Sequence, residues 1–497
     1  MRPLSAFTHD GDRPHPTRSL IVLGTAALSF ALAQTSLIPA IGDLMNSFHT
    51  DAAGVAWTLT GYLASAAVFT PVFGRLGDMF GKKRMLVIAL AIFALGNVLS
   101  GIGHSLEVVV AGRILQGVGG GIFPLCFAII RDEFPRERVR ASIGLVSSIA
   151  GIGGGVGLVL GGLLVDHATY HWIFWTGAIV AGLAALAAEL LVPESPNRSP
   201  GRVDLRGAAL LAVAIVVPLL AISQANTWGW GSPRFLLALG VGFVLLGLWV
   251  VVQRRTAEPL ANIATMTKTP VLMTNIATLL VGFGMFGSFI LIPQLTEAPT
   301  ATGYGFGASA THAGVLMLPG ALVMLVVGPI SGMIGERYGS RIPLGLGAIV
   351  AAAGLLLLGV AHGTQVEVLV FTTVLFTGIG LAFAAMPNLI VDAVAPTETG
   401  EATGFNALVR SIGSSLGSQV SASILAGSIV VAGGAPSDAS FRTAFFVGAG
   451  VAVFAAAMAM LIPRVPPGEH AAHLSRLESA GAAGPLGDPA VSAGPGR

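Results

Sequence analysis

Stretches of about 20 apolar residues, separated by short polar loops, recur along this chain from residue 19 to residue 462. A helix of that length crosses the hydrocarbon core of a bilayer. Hydrocarbon offers no partner for a free peptide group, so each stretch must be helical if it lies in lipid. Fourteen such segments can be drawn: 19–41, 56–77, 84–103, 106–130, 141–165, 170–192, 205–225, 233–252, 270–294, 311–335, 342–361, 366–388, 402–431 and 442–462. Only 10% of the 497 residues are charged, against about 25% in an ordinary soluble domain, and mean hydropathy is +0.82. The chain is therefore read as an all-α integral membrane protein. Its 67 glycines suit close helix packing in lipid through small side chains. Residues 19–33, with Arg13 and Arg18 before them and Ala31-Leu32-Ala33 at their end, imitate a cleavable leader. The apolar run continues to Ile41, which makes it a retained first helix.

The basic residues set the topology. With a cytoplasmic N-terminus, 22 of the 26 Lys and Arg residues fall in cytoplasmic segments, two (Arg234 and Arg442) fall outside, and Arg113 and Arg410 lie within helices. That asymmetry obeys the positive-inside rule. Both termini are expected in the cytoplasm, with the polar segment 1–18 and the Gly/Pro/Ala-rich tail 463–497 mobile on that side.

The chain echoes itself. Segment 2 runs into Gly74-Arg-Leu-Gly-Asp-Met-Phe-Gly-Lys-Lys-Arg84, and segment 10 into Gly332-Met-Ile-Gly-Glu-Arg-Tyr-Gly-Ser-Arg341. Asp78 corresponds to Glu336, Gly81 to Gly339 and Lys83 to Arg341. Two six-helix repeats, 19–192 and 270–462, with two inserted helices in 193–269, would account for the echo. Repeated halves around a midplane site are a common plan of secondary transporters.

The run containing Gly74, Gly77, Asp78, Gly81, Lys82, Lys83 and Arg84 resembles the signature loop of the major facilitator superfamily. In segment 4, Arg113-Ile-Leu-Gln116-Gly117 resembles the arginine-x-x-glutamine-glycine motif of drug/proton antiporters. In segment 5, Gly144, Gly153, Gly157, Gly161 and Gly162 match the glycine spacing of the antiporter motif of exporting families, without its proline. The resemblance covers about residues 19–463, and the segment count is similar to the fourteen-helix drug/proton antiporter branch of that superfamily. It implies proton-coupled efflux of small amphipathic molecules (drugs, antibiotics or metabolites) from the plasma membrane by alternating access. Many members of that branch also have an acid in the first helix; here the corresponding stretch, Leu32 to Pro39, contains none.

In such a fold, helices 1, 4, 9 and 12 line the central cavity. The candidate lining residues are then Gln34, Thr35 and Ser36; Arg113 and Gln116; Asn275, Phe283, Phe286, Phe289 and Gln294; and Phe383 and Asn388. A charge at helix centre costs roughly 2.5–3.5 kcal/mol on insertion scales, which makes Arg113 either functional or neutralised by a buried partner. Asp78 is read as a latch between the halves; Glu189, near the cytoplasmic end of segment 6, and Glu107, at the outer end of segment 4, are the candidate proton carriers, although an interface position is the better reading of both. Arg410 is left as the counterpart of Asp78 or as a separate anchor. The single cysteine, Cys126, is read as packing. No Cys/His cluster has metal-ligand spacing, no nucleotide loop follows a strand, and no nucleophile/base pair is visible, so no metal, cofactor, nucleic acid, obligate protein partner or enzyme activity is expected. The partners implied are a small-molecule substrate, protons and the lipid bilayer. The alternatives kept open are an inward metabolite carrier of the same fold and a transport-dead receptor. Epitope tags at both ends should be unreachable by antibody from outside intact cells; a tag detected there would overturn this topology.

Overall fold

Where the apolar segments end, glycine and proline usually stand. The computed structural model describes residues 16–50, 52–195, 198, 204–428 and 435–463 and, among these, is all-helical. The first half comprises α1 (Pro16–Thr35), α2 (Ala52–Phe80), α3 (Lys82–Gly101), α4 (Leu106–Glu133), α5 (Arg136–His167) and α6 (His171–Leu191). Two further helices follow, α7 (Leu205–Ser223) and α8 (Pro233–Arg255). The second half comprises α9 (Thr269–Glu297), α10 (Ala310–Tyr338), α11 (Arg341–Val360), α12 (Gln365–Ala393), α13 (Thr399–Ala426) and α14 (Asp438–Leu461).

Eleven helices among the described residues are long and apolar enough to cross a membrane; α2, α7 and α13 fall outside that group. Around the periphery, Leu190, Leu237, Phe243 and Val244 are about 70% exposed. Such a belt would aggregate in water and is at home against lipid tails. Several boundaries depart from the sequence expectation. The first helix stops at Thr35 and continues through a 3-10 turn, Ile38–Ala40, into a short helix, Ile41–Ser47. The segment placed at 402–431 begins earlier, at Thr399, and ends at Ala426. Nearly all of the segments 1–18 and 463–497 lies outside the described residues.

Two large apolar clusters follow the two halves, one built largely from α1–α6 and one from α9–α14. The halves meet chiefly along two helix pairs, α5 with α10 and α2 with α13, with α5 also touching α12 and α4 touching α13. Glycine makes both approaches possible. A Cβ on Gly144 would lie 2.3 Å from the carbonyl oxygen of Gly328, and one on Gly74 would lie 2.2 Å from that of Gly400. The glycine run Gly117–Gly121 opens α4 into a 3-10 turn and presses it onto Ser65, Thr70 and Phe73 of α2. α7 and α8 pair with each other, and α7 packs across α2 and α13 through Leu211, Ile215 and Leu219, with Trp249 of α8 in the same cluster. The Trp249 indole donates to Gly207 O at 3.0 Å and stacks near Phe405 of α13.

The internal echo has a backbone basis. Gly81 and Gly339, at matching positions, have φ of +111° and +86°. Only glycine adopts such values without strain, and each turns one helix sharply into the next. In α13, Gly413 and Gly417 lie against the carbonyls of Leu279 and Phe283 in α9, each leaving a Cβ only 2.0 Å of room. Gly413→Val should therefore destabilise the protein by the about 1–3 kcal/mol typical of overpacking, and so lower its thermal midpoint in detergent. Gly247→Ala, in α8 with nothing near a new Cβ, should leave the midpoint within a degree or two. Equal midpoints for the two variants would show that the α9–α13 approach is not tight.

Candidate functional site

Between the halves lies a cavity of about 270 Å³, walled by α1, α2, α9 and α13, with Gly120 and Phe123 of α4 and Leu219 of α7 completing the lining. Gln34, Thr35, Phe286 and Phe289 line it, as the sequence leads one to expect. Phe286 and Phe289 meet edge to face with centroids 5.6 Å apart, and Phe30, Tyr62 and Phe123 add rings from the first half. Apolar walls with a few convergent polar groups are what a drug-sized ligand requires.

The polar groups come mainly from α13. Because Gly413 and Gly417 seat that helix on α9, its opposite face turns inward. Arg410, Ser411, Ser414, Ser415, Ser418 and Gln419 all reach the cavity lining. The Arg410 guanidinium lies 4.7 Å over the ring of Phe383. Of these six, only Arg410 is among the residues singled out by the sequence reading, and Tyr62 of α2 is not among them either. The signal was present: polar residues at 411, 414, 415 and 418 repeat at helical spacing in an otherwise apolar segment.

Several expected lining residues stand elsewhere. Asn388 of α12 donates to Arg140 O at 3.2 Å and Ala384 O at 3.0 Å, away from the cavity. Asn275 accepts from Asn406 at 2.8 Å inside the α9–α13 contact. Phe383 is covered by Arg410, Gln294 is exposed, and Phe283 lies under Gly417. The assignment of α12 to the wall is thus replaced by α13, for the steric reason just given.

Arg113 and Gln116 are fully buried behind Tyr62 rather than in the cavity. The Arg113 Nε donates to Thr58 O at 3.1 Å. Its Nη1 donates to Ala33 O at 3.0 Å and to Gln116 Oε1 at 2.9 Å, and its plane covers the Tyr62 ring at 4.1 Å. Gln116 Nε2 in turn donates to Ser100 Oγ at 3.2 Å. Arg113 therefore ties α4 to α1 and α2 with neutral partners only, and its Nη2 has no hydrogen-bond partner. The glycines of α5 do similar work: Gly153, Gly157 and Gly161 face Ala31, Thr35 and Ser36 of α1, while Gly162 faces Thr311 of α10.

At one end of the molecule the halves are bolted together. Asp78, fully buried, accepts from the backbone N–H of Gly400 at 3.3 Å and of Glu401 at 3.0 Å. It thereby satisfies two of the donors that a helix N-terminus leaves unpaired, where the helix dipole also favours an anion. Lys82, also buried, lies 3.8 Å from Asp78 and pairs closely with Asp132, which also binds Ser195. Arg75 pairs with Glu401 at 3.7 Å and Arg140 with Asp392 at 3.1 Å. Arg131 reaches across to Val394 O at 2.8 Å and Ala395 O at 3.2 Å. Lys83 and Arg84 instead donate their backbone N–H to Glu194. Of the two acids read as helix-end groups, Glu189 pairs with Lys83 at 3.6 Å and Glu107 is exposed. We call this end the basic face.

The family model described as Major Facilitator Superfamily matches residues 23–418 and 276–489 of the chain. A tetracenomycin C resistance and export protein of Streptomyces glaucescens is 28% identical over 435 residues, covering 84% of this chain and 79% of that protein. A uridine/deoxyuridine transporter of Lactococcus lactis subsp. cremoris is 30% identical over 414 residues, covering 80% and 84%. Among solved structures, a proton:xylose symporter superposes with a TM-score of 0.63 at 15% identity, covering 90% of this chain and 96% of that one. The last likeness concerns the fold alone.

Proposed function

The chain belongs to the major facilitator superfamily, and on that premise we propose that it exports small amphipathic organic molecules, in exchange for protons, by alternating access. The family and fold are those of transporters rather than enzymes. The observation that carries the proposal is the closure of one end over a central cavity. Asp78 of the first half caps α13 of the second, while the cavity occupies the other part of the same interface.

Counting α2, α7 and α13 with the eleven apolar helices gives fourteen crossings, an even number that returns the chain to the side it started from. The concentration of Lys and Arg at the basic face then favours the cytoplasm for that face. Residues 19–192 and 270–462 are the two moving halves, with α7 and α8, in 193–269, sealing the seam between them. In this assignment the conformation described is open toward the outside. The resistance and export activity named for the Streptomyces relative supports the outward direction. Proton exchange enters from the resemblance to drug/proton antiporters. Uptake of a nucleoside-like metabolite is the second reading, favoured by the 30% identity to the uridine/deoxyuridine transporter.

Proteoliposomes with an imposed pH gradient separate the two readings. Gradient-driven movement of dyes or drugs out of the compartment facing the basic side supports export. Nucleoside movement toward that side, with no dye transport, contradicts it. Asp78→Asn should lower turnover about tenfold or more, equivalent to about 1.4 kcal/mol, while ligand affinity changes little; unchanged turnover would defeat the latch. Arg113→Ala should insert normally yet abolish gradient-driven transport, because three helices lose their common tie; near-normal transport would remove Arg113 from the cycle.

A further inference from the structure

The charges around the cavity are all of one sign. Arg410 lines it, and among the described residues its guanidinium makes no hydrogen bond or ion pair, only the contact with the Phe383 ring. Among the described residues, no Asp, Glu, Lys or His is found in the lining. Directly behind Tyr62, Arg113 brings a second guanidinium whose partners are backbone carbonyls, Gln116 and an aromatic face. The nearby acids of the basic face, Asp78 and Glu401, are engaged by backbone N–H groups and by Lys82 and Arg75. A cation left without a counter-charge in a low-dielectric cleft is unfavourable, and a bound anion relieves it. A cationic ligand would add a third positive charge instead.

The hydroxyls of α13 add a second selection. Ser411 donates to Ala407 O at 3.0 Å, Ser414 to Arg410 O at 2.8 Å and Ser418 to Ser414 O at 2.8 Å. Each hydroxyl has spent its proton on its own helix, so its oxygen faces the cavity as an acceptor. A ligand that matches them must donate. From Ser411 to Ser418 this acceptor row runs ~10 Å along the helix, opposite the rings of Phe30, Tyr62 and Phe289.

We propose that the cavity takes an anionic, polyhydroxylated aromatic molecule, with its acidic oxygens on Arg410 and its hydroxyls along the serine row. The assignment rests on the transporter reading above and narrows it to a ligand class. An enolate, phenolate or carboxylate on a fused-ring body would meet all three features at once: the cation, the acceptors and the ring walls.

Binding to the purified protein in detergent tests this without any gradient. Fluorescence anisotropy at pH 7 compares 3,7-dihydroxy-2-naphthoate, a fused-ring carboxylate that keeps its phenolic O–H, with ethidium, a cationic aromatic. The naphthoate should bind about tenfold or more tightly than ethidium, as expected for a charge-assisted contact. Arg410→Gln should erase most of that advantage, Arg410→Lys should retain part of it, and Ser414→Ala with Ser418→Ala should weaken the naphthoate alone. Ethidium binding equal to or tighter than the naphthoate, no naphthoate binding, or unchanged preference in Arg410→Gln would each overturn the assignment. If Arg410→Gln does not fold, the preference of the unaltered protein decides the question by itself. Failure of the transporter reading looks different: tight anion binding in detergent, but no gradient-driven movement of any probe in proteoliposomes.

Discussion

The carboxylate of Asp78 meets the backbone N–H groups of Gly400 and Glu401, in the first turn of α13, in a fully buried contact that ties the two halves together at one end. The contact is possible only because Gly74 and Gly400 let the two backbones touch. A side chain at either position would hold the carboxylate away from its donors. Those N–H groups lie at a helix end, where water can replace a carboxylate as their partner. A bond that is strong when dry and replaceable when wet suits an interface with two stable arrangements. The ion pairs around it, Arg75 with Glu401 and Arg140 with Asp392, close the same end, each joining one half to the other.

The two repeats share a backbone plan but not a chemistry. Gly81 and Gly339 make the same left-handed turn, yet Asp78 is buried and bonded across the interface while its counterpart Glu336 is exposed. The intramembrane arginines divide in a similar way. Arg113 is consumed by structure, its fork spread over α1, α2 and Gln116. Arg410 faces the cavity. On the proposed reading, the contact that closes the interface and the group that meets the ligand fall on different residues. A change at one can then leave the other largely intact.

The all-helical class was legible in the sequence because membrane solvation forces it: an apolar stretch has no other way to satisfy its backbone. The signature loop was legible too, since its glycines and acid are adjacent in sequence. The cavity was only half legible. Gln34, Thr35, Phe286 and Phe289 follow from knowing which helices face the centre. The exchange of α12 for α13 does not, because it depends on Gly413 and Gly417 sinking α13 into α9, a contact between segments more than 120 residues apart. Glycine frequency alone could not reveal it in a chain with 67 glycines. The polar row on α13 could have been read from its spacing, and it was the better guide to the wall than any inherited helix assignment. Likewise, Arg113 looks like a pore residue in sequence, and only the placement of Tyr62 in front of it shows otherwise.

The claim that Asp78 gates the cavity can be tested by replacing Ser415 with cysteine and adding a membrane-impermeant maleimide from each side of the membrane. The native thiol, Cys126, is buried and gives little background. With Asp78 intact, labelling should come chiefly from the outer side. With Asp78→Asn it should shift toward the side of the basic face. Equal labelling from that face with and without Asp78 would contradict the account.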